Sequence, residues 1–266
     1  MSQEDAKKAV KQYWEDQSTI SIIDRNLHQI EMESVSAFLN PNDQIADFGC
    51  GNGVATLHYA QKVKSCIGYE RSENLLNHAK EHLKNSNLKN INFQSGDILD
   101  PPFSAGEFDV IVTQRLLSNL VSWEDQKKAL QIIKQGIKPG GRYLMVDNLS
   151  GSFENLNNMR EQVDLEPIKR HWHNLFFEED QSIPFLESEF NIVSRKHFSL
   201  YYFLTRVYVP MFASFVGFGK EAVKDPIFNH SDPAARSVFE KFCGLINFDT
   251  SNYLGPIQLF VLEPKV

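Results

Sequence analysis

Apolar residues recur along this chain with two periods, one typical of amphipathic helices and one typical of buried strands. Residues 4–39 carry apolar side chains at helical spacing, and Pro41 and Asn42 end that pattern. Further along, short apolar runs alternate with amphipathic segments. The runs predict strands at residues 44–48, 65–69, 91–94, 108–113 and 141–147, and the amphipathic segments predict helices at residues 54–62, 73–85 and 123–136. This alternation predicts βαβ units with right-handed crossovers around a parallel sheet.

The pattern changes after Gly151, where most phenylalanines of the chain are found. We expect a helical insertion over residues 152–188, a long strand over 190–208, a second helix-rich insertion over 209–252 and a final strand over 257–263. The two late strands would complete a seven-stranded sheet with the five earlier ones. The predicted fold class is α/β, with a mostly parallel sheet, helices on both of its faces and a helical cap made by the insertions.

Composition and charge disfavour several classes of protein. The 266 residues carry a formal net charge of −7, and a negative field repels phosphate backbones, so we expect no nucleic acid partner. The three cysteines, Cys50, Cys66 and Cys243, form no metal-type cluster and are expected to be reduced thiols. The N-terminal segment lacks the apolar core of a signal peptide, and no apolar run is long enough to span a bilayer. We therefore expect a cytoplasmic protein with no membrane partner.

The strongest chemical signal is a glycine-rich loop, Asp47-Phe-Gly49-Cys-Gly51-Asn-Gly53, which follows the first predicted strand and opens a helix. Glycines at such a turn let the backbone approach a ligand closely. Ligands of parallel sheets bind at the carboxyl ends of the strands. The nicotinamide fingerprint G-x-G-x-x-G requires a third glycine where this chain has Val54, so a dehydrogenase is disfavoured. The sequence also lacks a G-x-x-x-x-G-K-[ST] phosphate loop.

Five segments, in the order found here, resemble the motifs of class I S-adenosylmethionine-dependent methyltransferases. They are the glycine-rich loop, CIGYE (66–70), SGDIL (95–99), FDVIVTQRLL (108–117) and IKPGGRYLMVDN (137–148). The resemblance implies a Rossmann-like, cofactor-binding core over residues 41–150. Residues 1–40 would form a helical lid over the cofactor site, and residues 151–266 the cap insertions and the final antiparallel strands. It also implies S-adenosylmethionine as cofactor and S-adenosylhomocysteine as product.

The resemblance assigns residues to the cofactor. Glu70 should hold the two ribose hydroxyls, Asp97 should take the adenine amine, and Ile98 should pack on the adenine ring. Gln114 should line the pocket, and Tyr13 of the N-terminal helix should reach the methionine carboxylate. The full set of expected cofactor-binding residues is Tyr13, Asp47, Gly49, Cys50, Gly51, Gly53, Glu70, Arg71, Asp97, Ile98 and Gln114.

Several of these residues allow another interpretation. Asp47 is expected to order the glycine-rich loop by accepting backbone N–H bonds rather than to touch the cofactor. Glu70 could instead be a solvated strand end, and Asp97 a helix N-cap. Tyr13 and Trp14 could be core aromatics of an amphipathic helix.

Methyl transfer needs an acceptor atom placed against the donor methyl, and a base only where the acceptor must lose a proton. Candidate bases lie in His171-Trp-His173, where an extended chain would place both imidazoles on one side. His173 is the preferred catalytic residue, followed by His171, and Asp147 at the end of a strand is a third candidate. The alternative is that both histidines are structural. Because the pair has no third ligand at fixed spacing, we expect no metal.

Arg115 and Arg160 are the predicted acceptor-binding residues. Arg115 follows the fourth strand and could hold a carboxylate or phosphate bidentately, or else pair with Asp147 or Glu124. Arg160, next to Glu161, lies in the first insertion among many hydrogen-bond donors.

The expected function is methyl transfer to a small polar acceptor, with O-methylation of a sugar or related metabolite as the leading interpretation. Residues 114–174 resemble bacterial methyltransferases of surface-polysaccharide and secondary-metabolite pathways. Methylation of a nitrogen on a small molecule is the first alternative. A cofactor-binding regulatory or scaffold subunit without catalysis is an alternative of a different class. The expected partners are the small-molecule acceptor and, as a further option, a second copy of the chain in a homodimer.

Overall fold

A computed structural model describes residues 2–16, 23–215, 226–244 and 248–265, with the backbone alone at 226–232. Within these ranges the strands are β1 (Gln44–Phe48), β2 (Ser65–Glu70), β3 (Ile91–Ser95), β4 (Phe108–Gln114), β5 (Ile137–Asn148), β6 (Phe190–His197) and β7 (Ile257–Pro264). The helices are α1 (Gln3–Glu15), α2 (Arg25–Ser36), α3 (Val54–Ala60), α4 (Glu73–Lys84), α5 (Trp123–Gly136), α6 (Ser150–Glu161), α7 (Glu179–Glu189), α8 (Ser199–Tyr202), α9 (Val209–Phe215) and α10 (Pro226–Phe242). The chain also forms 3-10 turns at Leu117–Asn119 and Thr250–Asn252, and a π-helical segment at Phe203–Tyr208.

The strands form one seven-stranded sheet in the order β3-β2-β1-β4-β5-β7-β6. Strands β1 to β5 pair in parallel, and β7 runs antiparallel to both β5 and β6. The predicted fold class is confirmed. The late strands β6 and β7 are antiparallel to each other, and β6 therefore points in the direction of the parallel strands. The strand order reverses between β1 and β4, which is where open α/β sheets bind their ligands.

Each face of the sheet carries its own core, because successive residues of a strand point to opposite sides. Val110 and Leu144 pack on one face in a cluster that includes α2 and α3. Ile111 and Met145, one residue further along, pack on the other face with α5 and α7. All four side chains are at most 1% exposed. The helices therefore cover both faces, as predicted.

The predicted long strand over residues 190–208 is wrong beyond His197. The chain turns there into α8, the π-helical segment and α9. The buried residues of this stretch include Phe198, Tyr201, Tyr202 and Thr205. Their i, i+3, i+4, i+7 spacing places them on one face of a helix. Packing of this face against the core outweighs the preference of aromatic residues for strands.

The two predicted insertions are only partly helical where the structure describes them. Residues 152–188 contain most of α6 and α7, separated by an irregular loop over 162–178. Residues 209–252 contain α9 and α10, while 216–225 and 245–247 lie outside the described residues. Across the described ranges, we find no helix with the length and apolar character needed to cross a membrane.

Candidate functional site

A cavity of about 400 Å³ opens at the carboxyl ends of β1, β2 and β4, where the strand order reverses. Its walls include the glycine-rich loop, part of α1, the start of α2 and much of the loop between α6 and α7. Ten of the eleven predicted cofactor-binding residues line it, and Gly53 is the exception. The topology thus brings together side chains that are far apart in the sequence.

The glycine-rich loop is held against β2 by its backbone. The N–H groups of Gly49 and Cys50 both donate to the carbonyl of Tyr69, at 2.8 and 3.1 Å. Gly51 has φ +55°, and a Cβ there would meet nothing within 4 Å. Gly53 has φ +79°, and a Cβ there would lie 2.6 Å from a ring atom of Phe93. Gly53 is therefore needed for packing, whereas Gly51 leaves space for a ligand.

The carboxylate of Glu70 ties the end of β2 to this loop. Its Oε2 accepts the N–H of Gly51 at 2.9 Å, and its Oε1 accepts the N–H of Ser72 at 2.8 Å. Burial raises the pKa of Glu70, against the lowering effect of these N–H donors. Glu70 is buried and lines the cavity, so it is not a solvated strand end. A carboxylate has about four lone-pair sites, so Glu70 can still accept hydrogen bonds from a ligand.

Asp47 does not order the loop in the way predicted. Its Oδ2 accepts the hydroxyl of Thr56 at 2.6 Å, while the N–H of Gly51 goes to Glu70. Burial raises the pKa of Asp47 to about 7. Asp47 therefore ties β1 to α3, and the expectation that it accepts loop N–H groups is corrected.

Asp97 and Arg71 lie at the edge of the cavity, near the ends of β3 and β2. Arg71 Nη1 is 3.5 Å from Asp97 Oδ2, and both side chains are 36% exposed, so the ion pair is weak. Asp97 Oδ1 accepts the N–H of Leu99 at 2.9 Å within a turn. The helix N-cap considered for Asp97 is therefore not formed. Ile98 is buried and lines the cavity.

The end of β4 presents Gln114 and Arg115 to the cavity, and Glu31 of α2 contacts both. Gln114 Oε1 accepts the hydroxyl of Tyr59 at 2.7 Å, and its Nε2 donates to Glu31 Oε2 at 3.5 Å. Arg115 Nη2 lies 3.5 Å from the same oxygen. Burial raises the pKa of Glu31 to about 7, against the lowering effect of Arg115. Arg115 is therefore anchored by Glu31 and not by either carboxylate considered from the sequence.

Asp147 does not line the cavity. It is fully buried, and its carboxylate accepts the N–H groups of Leu117 at 2.9 Å, Ser118 at 3.3 Å and Asn148 at 2.8 Å. Burial raises the pKa of Asp147 to about 6. We correct the predicted catalytic role, because this carboxylate holds the turn after β4 against the end of β5.

His171 and His173 both line the cavity, while Trp172 between them is 61% exposed. The His173 ring is buried and stacks on Tyr13, with ring centroids 4.3 Å apart. Burial, and to a smaller extent the nearby His171, lower the pKa of His173 to about 4. Its Nδ1 has no hydrogen-bond partner among the described residues. The neutral form of His173 is therefore favoured near pH 7, and because Nδ1 is buried, a ligand in the cavity would have to bond to Nε2.

Metal ligands were not expected at this pair. In the part of the chain that the structure describes, no three His, Cys, Asp or Glu side chains are grouped as a metal site would require.

Arg160 lies outside the cavity wall. Its Nε and Nη2 donate to the carbonyl of Glu166 at 2.9 and 2.7 Å, and its Nη1 donates to the carbonyl of Arg206. The predicted acceptor-binding role is therefore corrected, because Arg160 supports the loop that follows α6. Glu161 is exposed and does not line the cavity either.

Sequence reasoning missed several residues of the cavity wall. They include Glu15, Asp24, His28, Asn119, Asn148, Phe153, Lys169, Arg170, Phe176 and Arg206. Asp24 is the N-cap of α2 and His28 lies one turn later, so their common helical face was readable from spacing. Arg206 was missed because residues 190–208 were assigned to a strand. No local pattern could place the start of α2 or the segment around Arg206 in the same cavity as the glycine-rich loop. These segments are far apart in the sequence, and only the folded chain brings them together.

Helix α1 closes one side of the cavity. The hydroxyl of Ser72 donates to the carbonyl of Trp14 at 2.9 Å, and Trp14 Nε1 donates to Asn119 Oδ1 at 3.3 Å. Glu15 Oε1 accepts the N–H of Glu73 at 3.2 Å, at the start of α4. The helix is therefore fixed both to α4 and to the turn after β4.

Several known proteins that are similar to this chain are named as methyltransferases. A family model described as a methyltransferase domain matches residues 39–180, more than half of the chain. An uncharacterised methyltransferase of Synechocystis is 28% identical over 124 residues, which are 47% of this chain and 55% of the relative. The demethylmenaquinone methyltransferase of Lactococcus lactis is 36% identical over 106 residues, which are 39% of this chain and 41% of the relative. This chain thus spans about half the length of the curated relatives it matches.

The fold is also that of a solved structure. The YcgJ protein of Bacillus subtilis superposes with a TM-score of 0.55 and 16% sequence identity, over 90% of this chain and 100% of that chain. At this identity the likeness shows the fold. Together with the match over residues 39–180, it shows that the chain belongs to the class I S-adenosylmethionine-dependent methyltransferases.

Proposed function

We propose that this chain transfers a methyl group from S-adenosylmethionine to a small-molecule acceptor. The observation that carries the proposal is a single cavity lined both by the glycine-rich loop, Glu70 and Asp97 and by His171 and His173. We call the part around the glycine-rich loop and the ends of β2 and β3 the cofactor lobe. The part around the start of α2, Arg115 and residues 168–176 is the acceptor lobe. A group transfer between two ligands needs both in one space.

The cofactor lobe fits S-adenosylmethionine in shape and charge. Glu70 keeps lone pairs for the ribose hydroxyls, and Asp97 offers a half-exposed carboxylate for the adenine amine. Open space at Gly51 lets a ligand approach the backbone. When bound, the cofactor supplies an activated methyl group on a positively charged sulfur, which suits a lobe whose acidic residues include Glu70, Asp97 and Asp47. Asp47, the third of these, is held in place by Thr56.

The acceptor lobe offers a proton acceptor beside two aromatic walls. His173 lines this lobe, and the neutral form of its imidazole is favoured, so the ring can take the hydrogen bond or the proton of an acceptor hydroxyl through Nε2, because Nδ1 is buried. His171, stacked 5.5 Å away, is the second candidate. Phe153 and Phe176 form an edge-to-face pair that lines the same lobe.

These walls favour an acceptor with an apolar or planar part, methylated on oxygen. The Lactococcus lactis relative is named for demethylmenaquinone, which agrees with the planar part of such an acceptor. The sugar acceptor expected from the sequence has no counterpart among the named relatives reported above. We therefore place a hydroxylated small molecule with a planar part ahead of a sugar.

Calorimetric titration with S-adenosylhomocysteine tests the cofactor half of the proposal, with the nicotinamide dinucleotide as control ligand. We expect micromolar binding of the first alone. Turnover is then measured with labelled methyl donor on phenols, sugars and amines, using the wild type, His173→Phe and His171→Phe. Loss of phenol turnover in His173→Phe supports the assigned base, whereas unchanged turnover on amines favours the N-methylation alternative. Tight cofactor binding with no turnover on any acceptor favours a regulatory subunit.

A further inference from the structure

We propose that Arg115 and Arg206 form an anion-binding pair in the acceptor lobe, which holds a carboxylate or phosphate group of the acceptor. This proposal rests on the proposed function and narrows its substrate class. To the predicted acceptor-binding residue Arg115 it adds Arg206, which lies 91 positions away in the sequence and lines the same cavity. A guanidinium is suited to this role because its planar donors match the two oxygens of a carboxylate or phosphate.

Both arginines are presented by uncommon backbone conformations. Arg115 follows β4 with φ +54°, a left-handed conformation that non-glycine residues rarely adopt. Arg206 lies in the π-helical segment Phe203–Tyr208. Short π-helical insertions and left-handed residues each cost free energy and are found at functional sites more often than elsewhere. Two such segments, on different elements, direct arginines to one cavity.

Each guanidinium is oriented by a carboxylate of helix α2. Glu31 contacts Arg115 at 3.5 Å, and Asp24 accepts a hydrogen bond from Arg206. Asp24 is itself fixed, because its Oδ1 accepts the N–H of Leu27 and the hydroxyl of Tyr201, both at 2.9 Å. Anchored donors lose less conformational entropy when a ligand binds.

The two ion pairs are neighbours, because Asp24 and Glu31 are about two turns apart along α2 and both arginines line one cavity. His28 lies on the same face of α2, lines the cavity, and has its pKa lowered to about 3 by burial first and by Arg115 second. The imidazole between the two carboxylates is therefore neutral and adds no charge to the pair.

The acceptor lobe gathers four basic side chains, although the whole chain carries −7. They are Arg115, Lys169, Arg170 and Arg206, and Asp24 lines the lobe with them. Arg170 is drawn toward Glu154 and Glu178, at 3.6 and 3.7 Å, and rests on the ring of Phe176. A guanidinium has five N–H donors, so Arg115 and Arg206 can each bind an anionic acceptor while keeping a carboxylate partner, whereas a neutral sugar or amine would gain no contact between opposite charges.

The test uses ligand binding to the protein saturated with S-adenosylhomocysteine. Calorimetry compares 3,4-dihydroxybenzoate with catechol, which differ by one carboxylate, and phenyl phosphate with phenol. We expect the anionic member of at least one pair to bind roughly tenfold more tightly, the usual effect of one charge-assisted hydrogen-bonded contact. Equal affinity within both pairs, including no measurable binding of any probe, overturns the proposal.

Variants assign the preference to the two arginines. Arg115→Gln and Arg206→Gln should each reduce the anion preference by roughly tenfold. Arg25→Gln, which removes an exposed arginine of α2 outside the cavity wall, should keep it. If Arg206→Gln does not fold because Asp24 loses its partner, Arg206→Lys keeps the charge without the planar fork and should still weaken the preference. An unchanged preference in the folded variants overturns the proposal.

A separate titration with S-adenosylhomocysteine distinguishes this proposal from the proposed function. We expect Arg206→Gln to bind it within about threefold of the wild type, well below the effect of a lost charged hydrogen bond. Loss of its binding in both arginine variants, with the anion preference retained, would assign the guanidiniums to the carboxylate of the cofactor and overturn the proposal. Absence of binding to the wild type would instead contradict the proposed function itself.

Discussion

The carboxylate of Glu70 accepts the backbone N–H of Gly51 at 2.9 Å, so the acidic end of β2 is joined directly to the glycine-rich loop after β1. One residue therefore shapes the loop and also lines the cavity. Loss of this carboxylate should affect cofactor binding in two ways, by removing a ligand contact and by releasing the loop.

Glu70→Ala should weaken binding of S-adenosylhomocysteine by about 1–3 kcal/mol, because a buried N–H of the loop is left without its charged acceptor. Glu70→Gln, which keeps one acceptor oxygen, should lose less. Glu73→Ala removes an exposed carboxylate three residues away and serves as the control. Calorimetry measures all three affinities, and an unchanged value for Glu70→Ala would exclude Glu70 from the cofactor site.

Alanine at Gly51 and at Gly53 should have different effects, although both positions have positive φ. At Gly53 the new Cβ would lie 2.6 Å from Phe93 and 2.9 Å from Ala79, so overpacking of about 1–3 kcal/mol adds to the backbone strain. At Gly51 the Cβ meets open space, so stability should fall by only the conformational cost of about 1–2 kcal/mol.

Urea unfolding of the two glycine variants, together with cofactor titration, separates these effects. Gly53→Ala should be the less stable protein, and Gly51→Ala should lose the larger share of cofactor affinity because its methyl group enters the cavity. Equal stabilities would mean that Phe93 moves aside without cost.

His173 should stay neutral well below the usual titration range of histidine. Burial lowers its pKa to about 4, so the neutral form is favoured in the folded protein, and this contribution to stability is lost as the pH falls from about 6.5 toward 4. Proton NMR should show an imidazole signal, absent from His173→Gln, that does not shift between pH 8 and 6. A midpoint near 6.5 for that signal would contradict the burial described here.

Glu31→Gln should change how stability depends on pH. Burial raises the pKa of Glu31 from 4.5 to about 7, so the folded state binds a proton that the unfolded state has released. The wild type therefore loses stability relative to Glu31→Gln as the pH rises from 4.5 through 7, by about 3 kcal/mol at 1.36 kcal/mol per unit.

Urea unfolding at pH 5 and pH 8 measures this difference for Glu31→Gln. Glu33→Gln, which changes an exposed carboxylate of the same helix, is the matched control and should show a smaller change. A pH-independent difference for Glu31→Gln would show that Arg115 keeps Glu31 ionised in the fold throughout this range.

Much of the core could be predicted because its signals are local. The boundaries of α5 at Trp123 and Gly136 follow from one amphipathic pattern, and the structure reproduces them, with Ser122 as the N-cap. The stretch after His197 could not be predicted in the same way. Aromatic residues generally favour strands, so this stretch was predicted as a strand. That it is helical is evident only from which of its residues are buried in the core, because those residues have helical spacing.

The candidate site shows the same division between local and long-range information. The glycine-rich loop, Glu70 and Asp97 follow from spacing, because each ends or follows a strand and parallel strands end at one edge. The partners of these residues do not follow, since any carboxylate near the loop could accept its N–H groups. In the folded protein the N–H of Gly51 donates to Glu70, while Asp47 accepts the hydroxyl of Thr56.

The sequence by itself determined the α/β class, the methyltransferase motifs and the edge of the sheet that binds ligands, because strand and helix periods and glycine turns are properties of short segments. Tertiary structure alone decided that α2 places Asp24, His28 and Glu31 beside the cavity and that Arg206 reaches it from a π-helical segment. It also decided that Asp147 and Arg160 serve neighbouring backbone groups. These outcomes depend on contacts between residues far apart in the chain, and such contacts exist only after the helices have packed on the sheet.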